Sequence, residues 1–405
     1  MNETKKTSVL TLKKIALISL ISLLLIIPLT MISGVIGERE YSRSEVKAEI
    51  ARNVAESQIV DGPRLVYTLE EERMVDDKKE LVENVHSVHP QKLESDVSVD
   101  TETLRRSIYN VIVYHSIVNI KGRFLLPDAI YEGKNIKVKI KVSDLKGLIA
   151  TPHINLMGKD YEFDVEESDV LYANIELPEQ KPSDGVVLFS MSLDMKGTER
   201  LMFAPNADET IVSIKSPYPN PSFVGEYLPL SRNVSEKGFT ATWKVLKINK
   251  KSNAYFGVDF IEMASQYQQA MRSVKYGILI ICLVFVAGLL VEFVTKKPIH
   301  VIQYAIIGLS LVLFYSLLIA FSDIVVFGMA YLISAMMTTL ALILYYWGIL
   351  RNKSAWILGG FTSMMYATNY ILLQMETYSL LAGSLLLFVL LSVMMYFTAN
   401  MNKAE

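Results

Sequence analysis

With 405 residues, 51% of them hydrophobic and 20% charged, the chain carries too much charge to lie wholly in lipid, so charge and apolar surface must be segregated. Residues 38–275 hold 31 basic and 37 acidic side chains, a formal charge of −6. A mildly acidic segment lacks the basic footprint of nucleic-acid binding, so no nucleic-acid partner is expected.

Residues 1–14 are polar and basic (Lys5, Lys6, Lys13, Lys14), and Ile15 to Ile36 is an unbroken apolar run. A cleavable signal peptide and an uncleaved anchor both begin this way. The run is about 22 residues, longer than a signal-peptide core of roughly 7–15, and no A-x-A-like site follows, so 15–36 is predicted as transmembrane helix 1, a signal anchor. Pro28 is compatible with a span, because membrane helices tolerate proline.

Residues 37–275 read as one outer domain. Val46, Ile50 and Val54 recur at helical spacing, which predicts an amphipathic helix continuing from the first span and ending at Gly62-Pro63. Beyond that point the pattern becomes strand-like. Ile108–Tyr114 is β-branched and aromatic, with Lys121-Gly122 as punctuation after it, and Asn135–Val142 alternates strictly between apolar and polar residues. Gly185–Leu193, Glu209–Lys215 and Phe239–Lys247 continue the series, so the segment is predicted to be antiparallel and β-rich, a sandwich being one arrangement that fits. The lone cysteine, Cys282, lies in an apolar run, so the domain is expected to rest on its own core rather than on disulfides.

Two features of this domain invite chemistry. His86-x-x-His89 is at most half a zinc site; no cysteine accompanies it, and a metal usually needs three or four defined ligands. The segment Ser216–Pro229 packs three prolines into five residues (Pro217, Pro219, Pro221) and carries Tyr218, Phe223 and Tyr227. Proline removes backbone donors and fixes φ, which rules out an inner strand. The segment is either a rigid loop packed on its own domain or a docking surface for a partner.

From Tyr276 to about Asn400 the chain is apolar, with runs at 277–294, 299–321, 325–349, 355–374 and 378–398. A helix needs roughly 20 apolar residues to cross a bilayer, so 276–400 is predicted as a five-helix bundle and 401–405 as a short tail. Lys296, Lys297, Arg351, Lys353 and Lys403 flank one side, and the loops at Asp323 and Glu376 have no Lys or Arg. The positive-inside rule then places both termini in the cytoplasm and 37–275 outside. Arg39, Arg272 and Lys275 argue mildly the other way.

Ionisable residues in a bundle are functional suspects. Glu292 and His300 flank one short turn and are within reach of each other, as a structural clamp or as a proton-handling or ligand site. Asp323 lies at the opposite end of the third span, about 35 Å from His300 along the helix. Nucleophile motifs, phosphate loops and metal clusters are missing from the sequence, so no catalytic role, metal or cofactor is expected.

Several of these residues fall in a family pattern. Arg39-Glu-Tyr-Ser-Arg, Ile50-Ala51, Gln58 with Gly62-Pro63, Arg106–Tyr114, Gly122 with Phe124, Tyr218–Pro229, Arg232, Val234-Ser235 and Gly238 with Trp243 resemble the CreD family of inner-membrane proteins. So do Tyr267, Arg272, Lys275-Tyr276, Phe285, Glu292, His300, Gln303-Tyr304, Gly308–Leu311 and Phe314-Tyr315. Tyr218 stands where tryptophan is usual in that family and Asn220 where histidine is common. Val301 replaces a proline, and Ser322-Asp323 replaces Ser-Glu-His, which weakens any idea of histidine chemistry shared across the family. The resemblance implies a bacterial inner-membrane protein tied to envelope integrity and stress response, without an established enzymatic activity. Two function classes remain. One is a non-enzymatic protein whose outer domain binds an envelope protein partner or senses envelope state while the helices sit in the bilayer. The other is a transporter or intramembrane enzyme using Glu292 and His300; Gln303, Tyr304, Tyr315 and Asp323 are further candidates in the bundle, functional or structural.

Overall fold

The computed structural model describes residues 2–75, 78–106, 109–177, 182, 184–260, 266–295, 297–351 and 353–374, and single positions at 384, 388, 392 and 395. The chain divides into two compact units, Met1–Arg43 with Ala264–Glu405, and Ser44–Met263. Both ends of the second unit fall inside the 37–275 span expected for the outer domain.

The chain opens with helices α1 (Asn2–Leu24) and α2 (Ile26–Val54), interrupted only at Leu25. Pro28 accounts for the interruption: it has no N–H to offer the Leu24 carbonyl, and its ring crowds that carbonyl. Lys13–Val54 is long and apolar enough in its first part to cross a membrane. The helix ends at Val54, earlier than Gly62-Pro63. Gly62 and Pro63 lie inside a strand, at a register shift between Asp61 and Arg64, one of the few places a strand accepts proline.

In chain order the strands are β1 (Gln58–Val75), β2 (Lys78–Val88), β3 (Lys92–Arg106), β4 (Tyr109–Leu125), β5 (Lys134–Val142), β6 (His153–Leu156), β7 (Lys159–Glu162), β8 (Asp164–Glu167), β9 (Val170–Asn174), β10 (Val186–Thr198), β11 (Arg200–Ala204), β12 (Glu209–Ser216), β13 (Ser222–Gly225), β14 (Ser231–Ser235), β15 (Gly238–Leu246) and β16 (Phe256–Asp259). They form two sheets. One runs β13-β16-β11-β1-β5-β9-β8 with β2 also on β1, and the other β14-β15-β12-β3-β4-β10-β6-β7. Leu65, Val138, Phe203 and Phe256 from the first sheet share one buried core with Val118, Phe124, Phe189 and Trp243 from the second. The domain is a sandwich.

The sheets are mixed rather than antiparallel throughout. β1 runs parallel to β11, and β3 parallel to β12. Alternation reveals which face a side chain takes and not which strand lies alongside, so strand direction was not legible locally. In β5 the alternation works as read: Val138, Ile140 and Val142 point inward. Its lysines face out to carboxylates, Lys139 to Glu166 and Lys141 to Asp169 at 2.7 Å. β4 carries the aromatic run from Tyr109 to Tyr114, Ile108 lying outside the described residues. The strand continues unbroken through Lys121-Gly122. Gly122 marks a close approach: a Cβ there would lie 2.4 Å from the Lys92 carbonyl and 2.6 Å from the Phe189 ring. Val46 and Val54 flank buried Ile50 on α2 and pack with it on Leu104, Val111 and Val113. The spacing had predicted this apolar face.

In the first unit, α3 (Gln266–Lys275) and α4 (Gly277–Thr295) meet at Tyr276, and the span they make bends by 43°. α5 (Val301–Ser322) and α6 (Phe327–Leu350) are each long and apolar enough to cross a membrane, and α7 (Ser354–Gln374) is a helix of 21 residues. Three spans by length and apolarity, or four with the bent pair, coincide with four of the six predicted runs. The last run, 378–398, and the loop at Glu376 lie largely outside the described residues.

Candidate functional site

Glu292 comes near the end of α4, where a carboxylate leaving the apolar phase needs a cation or water. Its Oε1 accepts from the ammonium of Lys14 on α1, and its Oε2 accepts from the Tyr304 hydroxyl at 3.4 Å. Tyr304 is buried one turn into α5, its ring edge-on to Phe285 at 5.5 Å. Gly288 leaves space for that ring: a Cβ there would lie 3.0 Å from it. Lys297 donates to the Leu350 carbonyl at 2.5 Å, closing the end of α6. His300 is exposed and caps α5, its backbone N–H donating to the Gln303 side chain at 2.7 Å. Among the described residues no hydrogen bond or ion pair joins Glu292 to His300. The carboxylate is answered by the N-terminal helix instead.

Asp323 closes the other end of α5. It accepts from the Tyr267 hydroxyl at 2.7 Å and faces the Arg39 guanidinium at 3.8 Å. Tyr315 is fully buried beside Phe314, 4.8 Å between ring centroids. Sequence reasoning missed a third polar group, Asn369 on α7. Its amide donates to Ser273 on α3 and to the Tyr331 hydroxyl on α6, both at 3.1 Å, and Tyr331 donates on to the Tyr366 carbonyl at 2.8 Å. A signal was present, since a neutral amide inside an apolar run also needs partners in lipid.

The proline–aromatic segment turns its rings inward. Tyr218 meets Phe260 edge-on at 5.6 Å, Phe223 meets Phe239 and Trp243 at 5.8 and 5.7 Å, and Tyr227 meets Phe256 at 5.9 Å. The indole of Trp243 donates to the Tyr227 carbonyl at 3.1 Å, while the Tyr227 hydroxyl donates to the Asn249 carbonyl and accepts from the Lys251 N–H. Ser222–Gly225 is itself a strand, β13, on β16. Gly225 has φ +102°, and a Cβ would sit 2.1 Å from the Tyr255 carbonyl oxygen, so only glycine fits. Pro217 and Pro219 remain exposed and Pro221 half-buried. Leu228 and Leu230, just beyond the rings, are 73% and 74% exposed.

The two histidines weighed as half a zinc site have other partners. His86 stacks on Tyr67 at 5.4 Å, and His89 bonds the Asn206 side chain, whose amide donates to the Gly62 carbonyl at 2.6 Å. Beside them Asp61 is mostly buried, which lifts its carboxyl above its ordinary value against the pull of Arg64, His89, Lys250 and Lys141. At the end of β16, burial raises the Asp259 carboxyl in the same way, partly offset by the Arg200 guanidinium 2.7 Å away.

Helices long and apolar enough to cross a membrane, with charge pairs at their ends, and a large β-sandwich with its own core mark the chain as a membrane protein. The family described as "Inner membrane protein CreD" matches residues 10–403. The Inner membrane protein CreD of Escherichia coli (strain K12) is 30% identical over 94% of this chain and 91% of its own length. The chain belongs to the CreD family of inner membrane proteins, the family its motifs resemble. Among solved structures, an M1 zinc metallopeptidase from Deinococcus radiodurans aligns over 42% of each chain at 10% identity with a TM-score of 0.22, as does a mutant form of the same enzyme, too low for any argument about fold or function.

Proposed function

We propose that the protein acts without catalysis, its β-sandwich binding a partner or sensing envelope state outside the cytoplasmic membrane while six spans hold it there. In this reading residues 37–275 are periplasmic and both termini are cytoplasmic, as the distribution of lysine and arginine favours. The observation that carries it is the state of the suspect carboxylates. Glu292 is answered by Lys14 and Tyr304, and Asp323 by Tyr267 and Arg39. Both sit at helix ends, where such pairs fasten neighbouring helices. Among the described residues no hydrogen bond or ion pair joins His300 to Glu292, which favours this reading over a two-residue transporter or enzyme site. The proline–aromatic segment spends its rings on the sandwich core, leaving Leu228 and Leu230 for an envelope partner to meet. Photo-crosslinking groups placed at these two leucines in living cells test the reading. A discrete envelope component captured at either position supports it; no capture, together with loss of function in Glu292→Gln and His300→Gln at normal protein levels, refutes it in favour of the transporter or enzyme.

A further inference from the structure

Among the described residues, the terminal strands of the two sheets are short with one exception. β7, β8 and β13 have 4 residues each and β14 has 5, whereas β2 has 11 and, among the described residues, pairs with β1 alone. A long open edge invites strand addition unless it is blunted or covered. Past Thr68, which faces Lys134 of β5, β1 has no neighbour but β2 among the described residues. Leu69–Val75 and Lys78–Asn84 therefore form a two-stranded ribbon, an arrangement that is marginal in water without a third strand. On one face of β2, Leu81 and Val85 are 70% and 72% exposed, with Glu83 between them.

We propose that β2 pairs edge to edge, antiparallel, with β2 of a second copy of this chain about a two-fold axis at Glu83. The register follows from the residues. Inversion about position 83 sets Leu81 of each copy opposite Val85 of the other, on the same face, so both exposed apolar side chains gain an apolar partner. A shift of one residue puts the two exposed faces on opposite sides of the joined sheet. A shift of two sets Leu81 against Glu83 or Ser87. The pairing also turns each marginal ribbon into half of a four-stranded sheet. Its weak point is the centre, where Glu83 meets its own copy, with Glu70 across the ribbon from it and Lys134 bonded to Glu70 at 2.5 Å. Like charges directly opposite oppose pairing, so the association is reversible and tightens when Glu83 is neutralised.

The test uses the full chain in membranes with Cys282 replaced by serine. Facing antiparallel residues lie about 4.5–5.5 Å apart between Cα atoms, within the reach of a disulfide. Under mild oxidation, Glu83→Cys gives a covalent dimer, Val85→Cys alone does not, and co-expressed Leu81→Cys and Val85→Cys copies join to each other. Adding Leu81→Lys to the Glu83→Cys chain suppresses the crosslink at unchanged protein level, and Glu83→Gln raises the dimer fraction of the uncrosslinked protein several-fold. Failure of Glu83→Cys to crosslink overturns the proposal, as does equal crosslinking of Val85→Cys, or capture of a different protein in place of a second copy.

Discussion

Replacing Gly225 by alanine measures how closely the proline–aromatic segment is laid on the sandwich. A non-glycine residue at φ +102° costs about 1–3 kcal/mol in backbone strain alone. The new methyl would also lie 2.1 Å from the Tyr255 carbonyl oxygen and 2.7 Å from the Phe256 Cα. Both are backbone atoms of the neighbouring strand, so relief requires lifting β13 off β16. Each hydrogen bond lost from that short ladder costs about 0.5–1.5 kcal/mol net, which brings the expected total to about 3–5 kcal/mol. A domain of this size loses about 2–4 °C in Tm per kcal/mol, so unfolding should fall by roughly 6–20 °C. Trp243, edge-on to Phe223, reports the event by fluorescence once Trp347 and Trp356 are replaced by phenylalanine. Gly158→Ala is the internal control: φ is +85° there, but nothing lies within 4 Å of the added carbon. It should cost only the strain, about 1–3 kcal/mol. Equal losses from the two glycines would refute the close-approach argument.

The raised carboxyl of Asp61 makes the sandwich lose stability as pH rises from the ordinary carboxylate range through the raised value, because the folded form there holds a proton that the unfolded chain has released. Asp61→Asn should flatten this slope in unfolding experiments, and an unchanged slope would exclude Asp61 as its source. Reporters fused after Lys297, Lys353 and Lys403 should behave as cytoplasmic and those after Asp323 and Glu376 as periplasmic; one reversal breaks the six-span arrangement. Glu292→Gln keeps an amide oxygen that can accept from Lys14 and gains an amide N–H that can donate to the Tyr304 hydroxyl, so protein level and envelope phenotype should stay near normal. Lys14→Leu leaves a half-buried carboxylate without its cation and should lower the amount of folded protein in the membrane. Loss of function in Glu292→Gln at full abundance would contradict the structural reading of that pair.

What the sequence disclosed was set by periodicity. The lysine face of β5, the inward stripe Val46-Ile50-Val54 and the apolar helices among the described residues are all local patterns, and each falls where the pattern put it. The partner of Glu292 was hidden for the opposite reason. Its ammonium comes from Lys14, 278 positions earlier, while the eye goes to His300 across the turn. Gly62-Pro63 misled because a turn-like dipeptide reads as a helix stop, when here it forms a strand irregularity held by Asn206. Asn369 was overlooked because neutral amides do not stand out in a search for charge.

The two parallel pairings bear on how the chain folds. β1 at Gln58–Asp61 lies in register with Leu201–Ala204, and β16 at Phe256–Asp259 completes that side of the sheet. The central strand of the first sheet thus waits for segments made some 140 and more positions later, and loop closure over such separations is slow. As the polypeptide emerges from the ribosome, β1 can pair early with β2 and β5, but the Gln58–Asp61 edge that β11 takes stays open until most of the domain has appeared. Partly made chains of this kind are vulnerable to aggregation and proteolysis. Truncations ending before Phe256 should therefore be cleared from cells rather than accumulate as a smaller sandwich.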